Sequence, residues 1–298
     1  MQGKIVRGVG GFYYVHLHLY NELNTEQTCY ECRAKGSFRN QHIKPMVGDE
    51  VEIDIISEEN KTGNITDILE RKNALVRPAV ANIDQAVIVF AGRDPEPNYN
   101  LLDRFLISME IQQADTVICF NKTDLEKEKI KVIAGEYEAC GYRTVLTSTK
   151  TGDGIDELRE LIRGKTTAFA GPSGVGKSSL LNALSPSLLA KTGDISEKIK
   201  RGKHTTRHSE IMCVSEDTYI LDTPGFSSLN VMDIEAEELK NYFREFARYE
   251  QECRFSGCVH INEPDCGVKE ALCAGRISAI RYDNYKQMYS ELKEKRKW

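Results

Sequence analysis

No stretch of this 298-residue chain is apolar for anything near the ~20 residues that a membrane-spanning helix requires. The opening residues, MQGKIVRGVGGFYYV, lack the long apolar core of a secretory signal. Basic charge is not in excess: 40 Lys and Arg face 45 Asp and Glu, a formal net charge of −5. Bulk charge therefore does not announce nucleic-acid binding, and any RNA contact must use local basic patches. Nine cysteines, an odd count at uneven spacing, make a poor disulfide framework. Internal repeats and low-complexity tracts are absent. What is there is an ordinary soluble composition, 40% apolar and 29% charged, long enough for about two domains. No membrane association and a cytoplasmic location are expected, where clustered cysteines more often bind metal.

Three regions follow one another. Residues 1–70 alternate apolar and polar positions in short runs broken by glycines: KIVRGVGGFYYVHL, QTCYECRAKGSF, GDEVEIDII and GNITDIL. Five or so short strands with glycine turns predict a small β-barrel, of which the OB type is one possibility. In residues 71–231 the apolar runs IDQAVIVFAG, DTVICFN, TVLTS and TTAFAG alternate with helical stretches (LLDRFLISMEIQQ, Glu126 to Cys140, Gly154 to Ile162). That rhythm predicts a parallel α/β sheet covered on both faces. Residues 232–298 read as helical and charged, interrupted by CRFSGCVHINEPDC, with a last helix from Ser278 onward.

The run Gly171-Pro172-Ser173-Gly174-Val175-Gly176-Lys177-Ser178, followed by Ser179, fits the phosphate-loop pattern G-x-x-x-x-G-K-[ST]. The apolar run TTAFA precedes it and KSSLLNAL follows, the strand–loop–helix setting the motif needs. Glycines let backbone N–H groups turn inward onto phosphate oxygens, and a helix N-terminus adds partial positive charge. Lys177 is expected to reach the β- and γ-phosphates and Ser178 to ligate Mg2+. Asp222 and Gly225 belong to DTPG, after the strand-like TYIL. Alone that is a turn signal. Some forty residues beyond a phosphate loop, it places Asp222 on Mg2+ and the Gly225 N–H on the γ-phosphate.

NKTD, Asn121-Lys122-Thr123-Asp124, ends the strand-like TVICF. The Asp124 carboxylate can accept from the N1–H and 2-amino groups of guanine. Adenine offers neither donor, so discrimination can reach about 10⁴ or more. Asn121 would fix base and loop, Lys122 would lie along the nucleoside, and Ser148 in TSTK could offer backbone contacts to the guanine oxygen. In ordinary GTPases the phosphate loop comes first and the base-reading motif last. Here the order is NKTD, TSTK, GPSGVGKS, DTPG. Contacts rather than chain order make a site, so a permuted sheet can keep it. The new break follows DTPG, which ties the segment that senses γ-phosphate to the C-terminal region, and nucleotide state could then reposition that region.

Between phosphate loop and DTPG lies RGKHTTRH, Arg201 to His208, where a switch is expected, with Thr205 or Thr206 on Mg2+. Many GTPases carry a glutamine after D-x-x-G to orient water. Phe226 stands there and cannot, so intrinsic hydrolysis should be slow and another group must position water. Cys253, Cys258, His260 and Cys266, spaced C-x4-C-x-H-x5-C, suit one tetrahedral Zn2+ in a structural site without an open position. Cys273 is read as a spare, and Cys29 and Cys32 as strand residues.

NKTD, GPSGVGKSSLLNAL, RGKHTTRH and DTPGFSSL, in that order between a barrel and a Cys/His segment, resemble the circularly permuted, ribosome-associated GTPases of the RsgA (YjeQ) type over nearly the whole chain. The resemblance implies an N-terminal OB fold, a permuted GTPase domain and a zinc module on the four residues above. It also implies a monomer whose hydrolysis of GTP to GDP is stimulated by the small (30S) ribosomal subunit, late in that subunit's maturation. It makes His204 the catalytic candidate beside Lys177, Thr205 and Thr206, the competing reading being that His204 merely contacts RNA or the loop. Aromatic and basic residues (Phe12, Tyr13, Tyr14, Arg33, Lys35, Phe38, Arg39, Lys44) and a basic C-terminal stretch (Arg276, Arg281, Lys286, Lys293, Lys295, Arg296, Lys297) then favour 16S rRNA as partner. Two other readings stand beside this one: a GTP-dependent switch for a protein partner, and a zinc/OB RNA-binding protein with a degenerate GTPase. Intact Lys177, Ser178, Asp124 and Asp222 argue against the latter.

Overall fold

The computed structural model describes residues 1–18, 28–36, 38, 44–75, 79–185, 210–215, 217–222 and 234–295. His204, Thr205, Thr206, Gly225 and Phe226 lie outside the described residues. The strands are β1 (Gln2–Val9), β2 (Phe12–Leu17), β3 (Cys29–Ala34), β4 (Glu50–Ser57), β5 (Thr62–Ile68), β6 (Ala74–Leu75), β7 (Val80–Ala81), β8 (Gln85–Ala91), β9 (Thr116–Asn121), β10 (Arg143–Leu146), β11 (Thr166–Ala170), β12 (Glu210–Ser215) and β13 (Thr218–Asp222). The α-helices are α1 (Tyr99–Ile111), α2 (Lys127–Ala139), α3 (Ile155–Ile162), α4 (Lys177–Leu184), α5 (Gly267–Cys273) and α6 (Ala279–Lys295). Two compact units form, one from residues 1–87, 154–170 and 176–227, the other from 88–153, 171–175 and 228–298.

In the first unit β1 to β5 close a barrel. Gly10 and Gly11, at φ 62° and 87°, form the two-residue turn between β1 and β2, where both positions need the left-handed conformation. β2 pairs antiparallel with β3, β3 parallel with β5, β5 antiparallel with β4, and β4 antiparallel with β1. That closed five-strand order, with one parallel pair, is of the OB type, one of the small barrels that the alternation allowed and the one that the resemblance implied. The alternation is what builds it: Val51 and Ile53 point inward on β4 and join buried Ile5, Val15, Leu17, Tyr30, Cys32 and Ile65. Beyond the barrel, β12 meets β1 at Glu210 and Arg7 and pairs antiparallel with β13, which pairs in parallel with β11. A polar seam joins barrel and hairpin. His16 Nδ1 lies 2.9 Å from the Tyr219 hydroxyl, and the Lys4 ammonium sits 5.3 Å over the Tyr219 ring and 2.5 Å from Glu50.

In the second unit β9 lies between β8 and β10 and runs parallel to β10. Every residue of β8 and β9 is buried, as in a sheet covered on both faces. α1 starts and ends two residues before the expected stretch of 101–113, and α2 lies one residue inside each end of the expected Glu126 to Cys140. The segment after residue 233 forms short 3-10 helices (Ala236–Tyr242, Phe246–Arg248, Glu250–Glu252) before α5 and α6. Its core gathers Leu239, Phe243, Phe246, Tyr285, Met288 and Ile107 of α1.

Candidate functional site

The loop after β9 is held by its own polar side chains. Asn121 is fully buried; its Nδ2 donates to the Val175 carbonyl at 2.9 Å, and its carbonyl accepts from Gly92 N–H at 2.7 Å. Lys122 Nζ donates to the Gly174 carbonyl at 2.9 Å and to the Asp94 carbonyl. Thr123 donates through both N–H and hydroxyl to the Thr147 carbonyl, at 3.1 and 3.0 Å. So NKTD, the TSTK loop and Gly174–Val175 of the phosphate loop are tied together by direct hydrogen bonds. Ser148 takes part in a way the spacing does not show. Its N–H is engaged by the Asp153 carbonyl at 3.0 Å, while its hydroxyl donates to Asp124 Oδ1 at 2.7 Å. Lys150 Nζ stands 3.8 Å from the other carboxylate oxygen. Asp124 is thereby oriented but not consumed.

Two contributors had no sequence signal. Thr147 bridges through its backbone and donates its hydroxyl to Asn121 Oδ1 at 3.3 Å. The carbonyl of Asp94, which precedes Pro95, receives Lys122. Thr147 looks like any strand end, and Asp94 like any surface turn, until the loops are brought together.

The phosphate loop starts at Gly171, at φ 140°, where an added Cβ would lie 2.1 Å from the Val89 carbonyl oxygen. Only glycine lets the chain leave β11 so close to β8. Gly174 and Gly176 also have positive φ, 80° and 91°. Pro172 is half-buried, Ser173 and Gly174 are exposed, and Val175 is buried. Lys177, Ser178 and Ser179 open α4. On the neighbouring strand Asp222 pairs with Phe169 of β11, at the edge from which the phosphate loop departs. Burial lowers the Lys177 pKa and the Asp222 carboxylate opposes that shift. A half-buried lysine, a serine hydroxyl and a carboxylate at one strand edge suit a phosphate with a hard, oxygen-bound cation.

Cys253, Cys258, His260 and Cys266 converge, with their ligand atoms all within 4.8 Å of one another. Tetrahedral zinc, with Zn–S about 2.3 Å and Zn–N about 2.0–2.1 Å, requires ligand edges of roughly 3.8 Å between sulfurs and roughly 3.5 Å between sulfur and nitrogen. Cys253 and Cys266 Sγ are 3.9 Å apart, and His260 Nδ1 is 3.6 and 3.4 Å from them. Burial pushes the Cys258 thiol up to about 12 and raises Cys266. A bound cation is what would hold such thiols as thiolates near neutrality. Three thiols and an imidazole at these distances fit a four-coordinate metal ion.

The aromatic and basic surface is narrower than its composition suggests. Arg7 stacks over Tyr14 at 4.0 Å and Arg33 over Phe12 at 4.8 Å; Arg33 is exposed and the other three are half-buried. Phe38 is 6% exposed and belongs to the barrel core, and Tyr13 packs against that core; neither is a free stacking platform. Arg281 is 1% exposed, and its Nε and Nη2 meet Glu245 at 2.6 and 3.0 Å while Nη1 meets Asp103. It is a core residue, not a phosphate contact: three charges from separated segments satisfy one another there. Arg39, Arg201, Lys203, Arg207, Arg296 and Lys297 lie outside the described residues. Among the described residues no helix is long and apolar enough to cross a membrane.

The NKTD loop precedes the phosphate loop in the chain yet shares hydrogen bonds with it in the fold, which defines the class of circularly permuted P-loop GTPases. A family model described as RsgA GTPase matches residues 68–232, and one described as RsgA N-terminal domain matches residues 2–65. The small ribosomal subunit biogenesis GTPase RsgA of Agathobacter rectalis is 56% identical, covering 100% of both chains. That of Alkaliphilus metalliredigens is 48% identical, covering 100% of this chain and 99% of its own. Among solved structures, YjeQ from Thermotoga maritima superposes with a TM-score of 0.82 at 39% identity, covering 98% of each chain. YloQ, a circularly permuted GTPase, gives 0.79 at 38% identity, covering 99% of this chain and 95% of that one. The chain belongs to the RsgA GTPase family and is a GTP-hydrolysing enzyme of it.

Proposed function

We propose that this protein binds the small (30S) ribosomal subunit through 16S rRNA and acts, as a monomer in the cytoplasm, in the late maturation of that subunit. Its GTP hydrolysis would be stimulated by the bound subunit. The observation that carries the nucleotide part is the Ser148–Asp124 hydrogen bond within a loop bonded to the phosphate loop. It leaves the Asp124 carboxylate to accept from guanine N1–H and the 2-amino group. Three functional modules accompany the reading: residues 1–70 for RNA, 71–231 for GTP, and 232–298 around a structural Zn2+ on Cys253, Cys258, His260 and Cys266.

In the GTP-bound state the phosphate-loop N–H groups and Lys177 hold the β- and γ-phosphates. Ser178 and Asp222, with Thr205 or Thr206 from the switch, would hold Mg2+, which neutralises charge on the phosphates when bound. The Gly225 N–H meets the γ-phosphate. Phe226 cannot orient water, so His204 takes that part in the ribosome-bound state. Arg7, Phe12, Tyr14 and Arg33 on the barrel supply cations and aromatic faces for RNA.

The test is GTP turnover with and without purified small subunits at two salt concentrations, with ATP as control. Strong stimulation confined to GTP and lost at the higher salt is expected, because phosphate contacts weaken steeply with salt. Normal GTP binding without stimulation would overturn the ribosomal reading and favour a switch for a protein partner.

A further inference from the structure

The metal cluster contains a choice that its four ligands do not make. A neutral imidazole carries one proton, and only the other nitrogen has a lone pair to give a metal. His260 is fully buried, so the protonated nitrogen also needs an acceptor inside the protein. Nδ1 faces the sulfurs of Cys253 and Cys266, at 3.6 and 3.4 Å. Nε2 faces Glu250 Oε1 at 3.2 Å. The carboxylate therefore accepts the Nε2–H and leaves Nδ1 as the donor atom.

Glu250 sits on the short 3-10 helix that leads into Cys253, so one segment supplies both a thiolate and the acceptor. It is held from the other side by Lys240 Nζ, 3.0 Å from the same Oε1. The lysine offsets the charge that Glu250 adds beside three thiolates. The remaining contacts hold the ring and backbone without selecting a proton position. Phe246 meets the imidazole edge-on at 5.5 Å between centroids, and the Tyr282 hydroxyl donates to the His260 carbonyl at 2.7 Å.

We propose that Glu250, buttressed by Lys240, is the residue that sets the tautomer of His260 and thereby the zinc affinity of the cluster. The inference rests on reading that cluster as a zinc centre. A carboxylate on the far nitrogen fixes the ring and raises its basicity as a ligand, and losing such a partner costs roughly 10- to 100-fold in metal affinity.

The experiment is competition for zinc between the full-length protein and a chromophoric chelator, for wild type, Glu250→Ala, Glu250→Gln and Lys240→Met. Glu250→Ala is expected to weaken zinc about 10- to 100-fold. Glu250→Gln, whose amide oxygen still accepts from Nε2–H, should recover most of that loss, which a merely space-filling role would not predict. Lys240→Met should give a smaller loss. Nitrogen-15 correlation spectra of the zinc-loaded wild type should show His260 protonated at Nε2 and unprotonated at Nδ1, a readout that holds even if Glu250→Ala does not fold. Wild-type affinity in Glu250→Ala, or a proton on Nδ1, overturns the proposal. A wild-type protein that takes up no zinc overturns the reading of the cluster instead.

Discussion

At the scale of single residues, Asp124 is the clearest case of chemistry set by hydrogen-bonding capacity. The Ser148 hydroxyl turns one carboxylate oxygen, at 2.7 Å, and Thr147 anchors the loop from behind. Xanthine carries a carbonyl where guanine carries its 2-amino group. Asp124→Asn replaces an acceptor with a donor at that point and should reverse the preference. GTP affinity is expected to fall by about 10³-fold or more, with xanthosine triphosphate becoming the better ligand. Competition between the two nucleotides, followed with a fluorescent analogue, reads this directly. The reading of Asp124 rests on N-K-x-D, a contiguous pattern. The parts of Ser148 and Thr147 were not legible there, since both depend on where the next strand ends.

Among elements, the junction of the barrel with the β12–β13 hairpin is where packing sets a property that neither element has alone. His16 on β2 is buried against Tyr219 on β13, 5.8 Å between ring centroids. Burial drives its pKa from 6.5 down to about 4; charge on His18 adds to the shift and Asp217 opposes it. The unfolded chain therefore binds a proton between those two values that the folded chain refuses. Stability contributed by neutral His16 is present above pH 6.5 and is lost as pH falls towards 4, by up to about 3 kcal/mol. Urea unfolding at pH 7.5 and pH 5 should show this slope in the wild type and a shallower one in His16→Gln. The barrel strands could be read from alternation and β13 from the apolar TYIL, whereas β12 carried no reading. The junction could not be read, because β1 and β12 meet at Arg7 and Glu210, some two hundred positions apart.

For the molecule as a whole, a buried ion cluster ties the last helix into the second unit. Burial opposes the charge on Arg281, yet Asp103 and Glu245 raise its pKa well above the ordinary value and hold it protonated. Its guanidinium also lies over Phe243 at 4.9 Å and Tyr137 at 5.4 Å. Arg281→Ala strands two carboxylates in the core and should cost roughly 3–5 kcal/mol, measured by chemical denaturation. In the sequence this arginine resembles its basic neighbours in α6, so composition pointed towards RNA where burial placed it in the core. The sequence by itself determined the GTPase class, the permuted order, the barrel alternation and the four cysteine and histidine residues that converge. Each of those is written in short contiguous patterns whose periodicity or donor set carries the physics. Only the tertiary structure decided which cations face inward, which serine orients Asp124 and which carboxylate faces His260. Those outcomes depend on desolvation and on partners distant in the chain, and no local pattern encodes them.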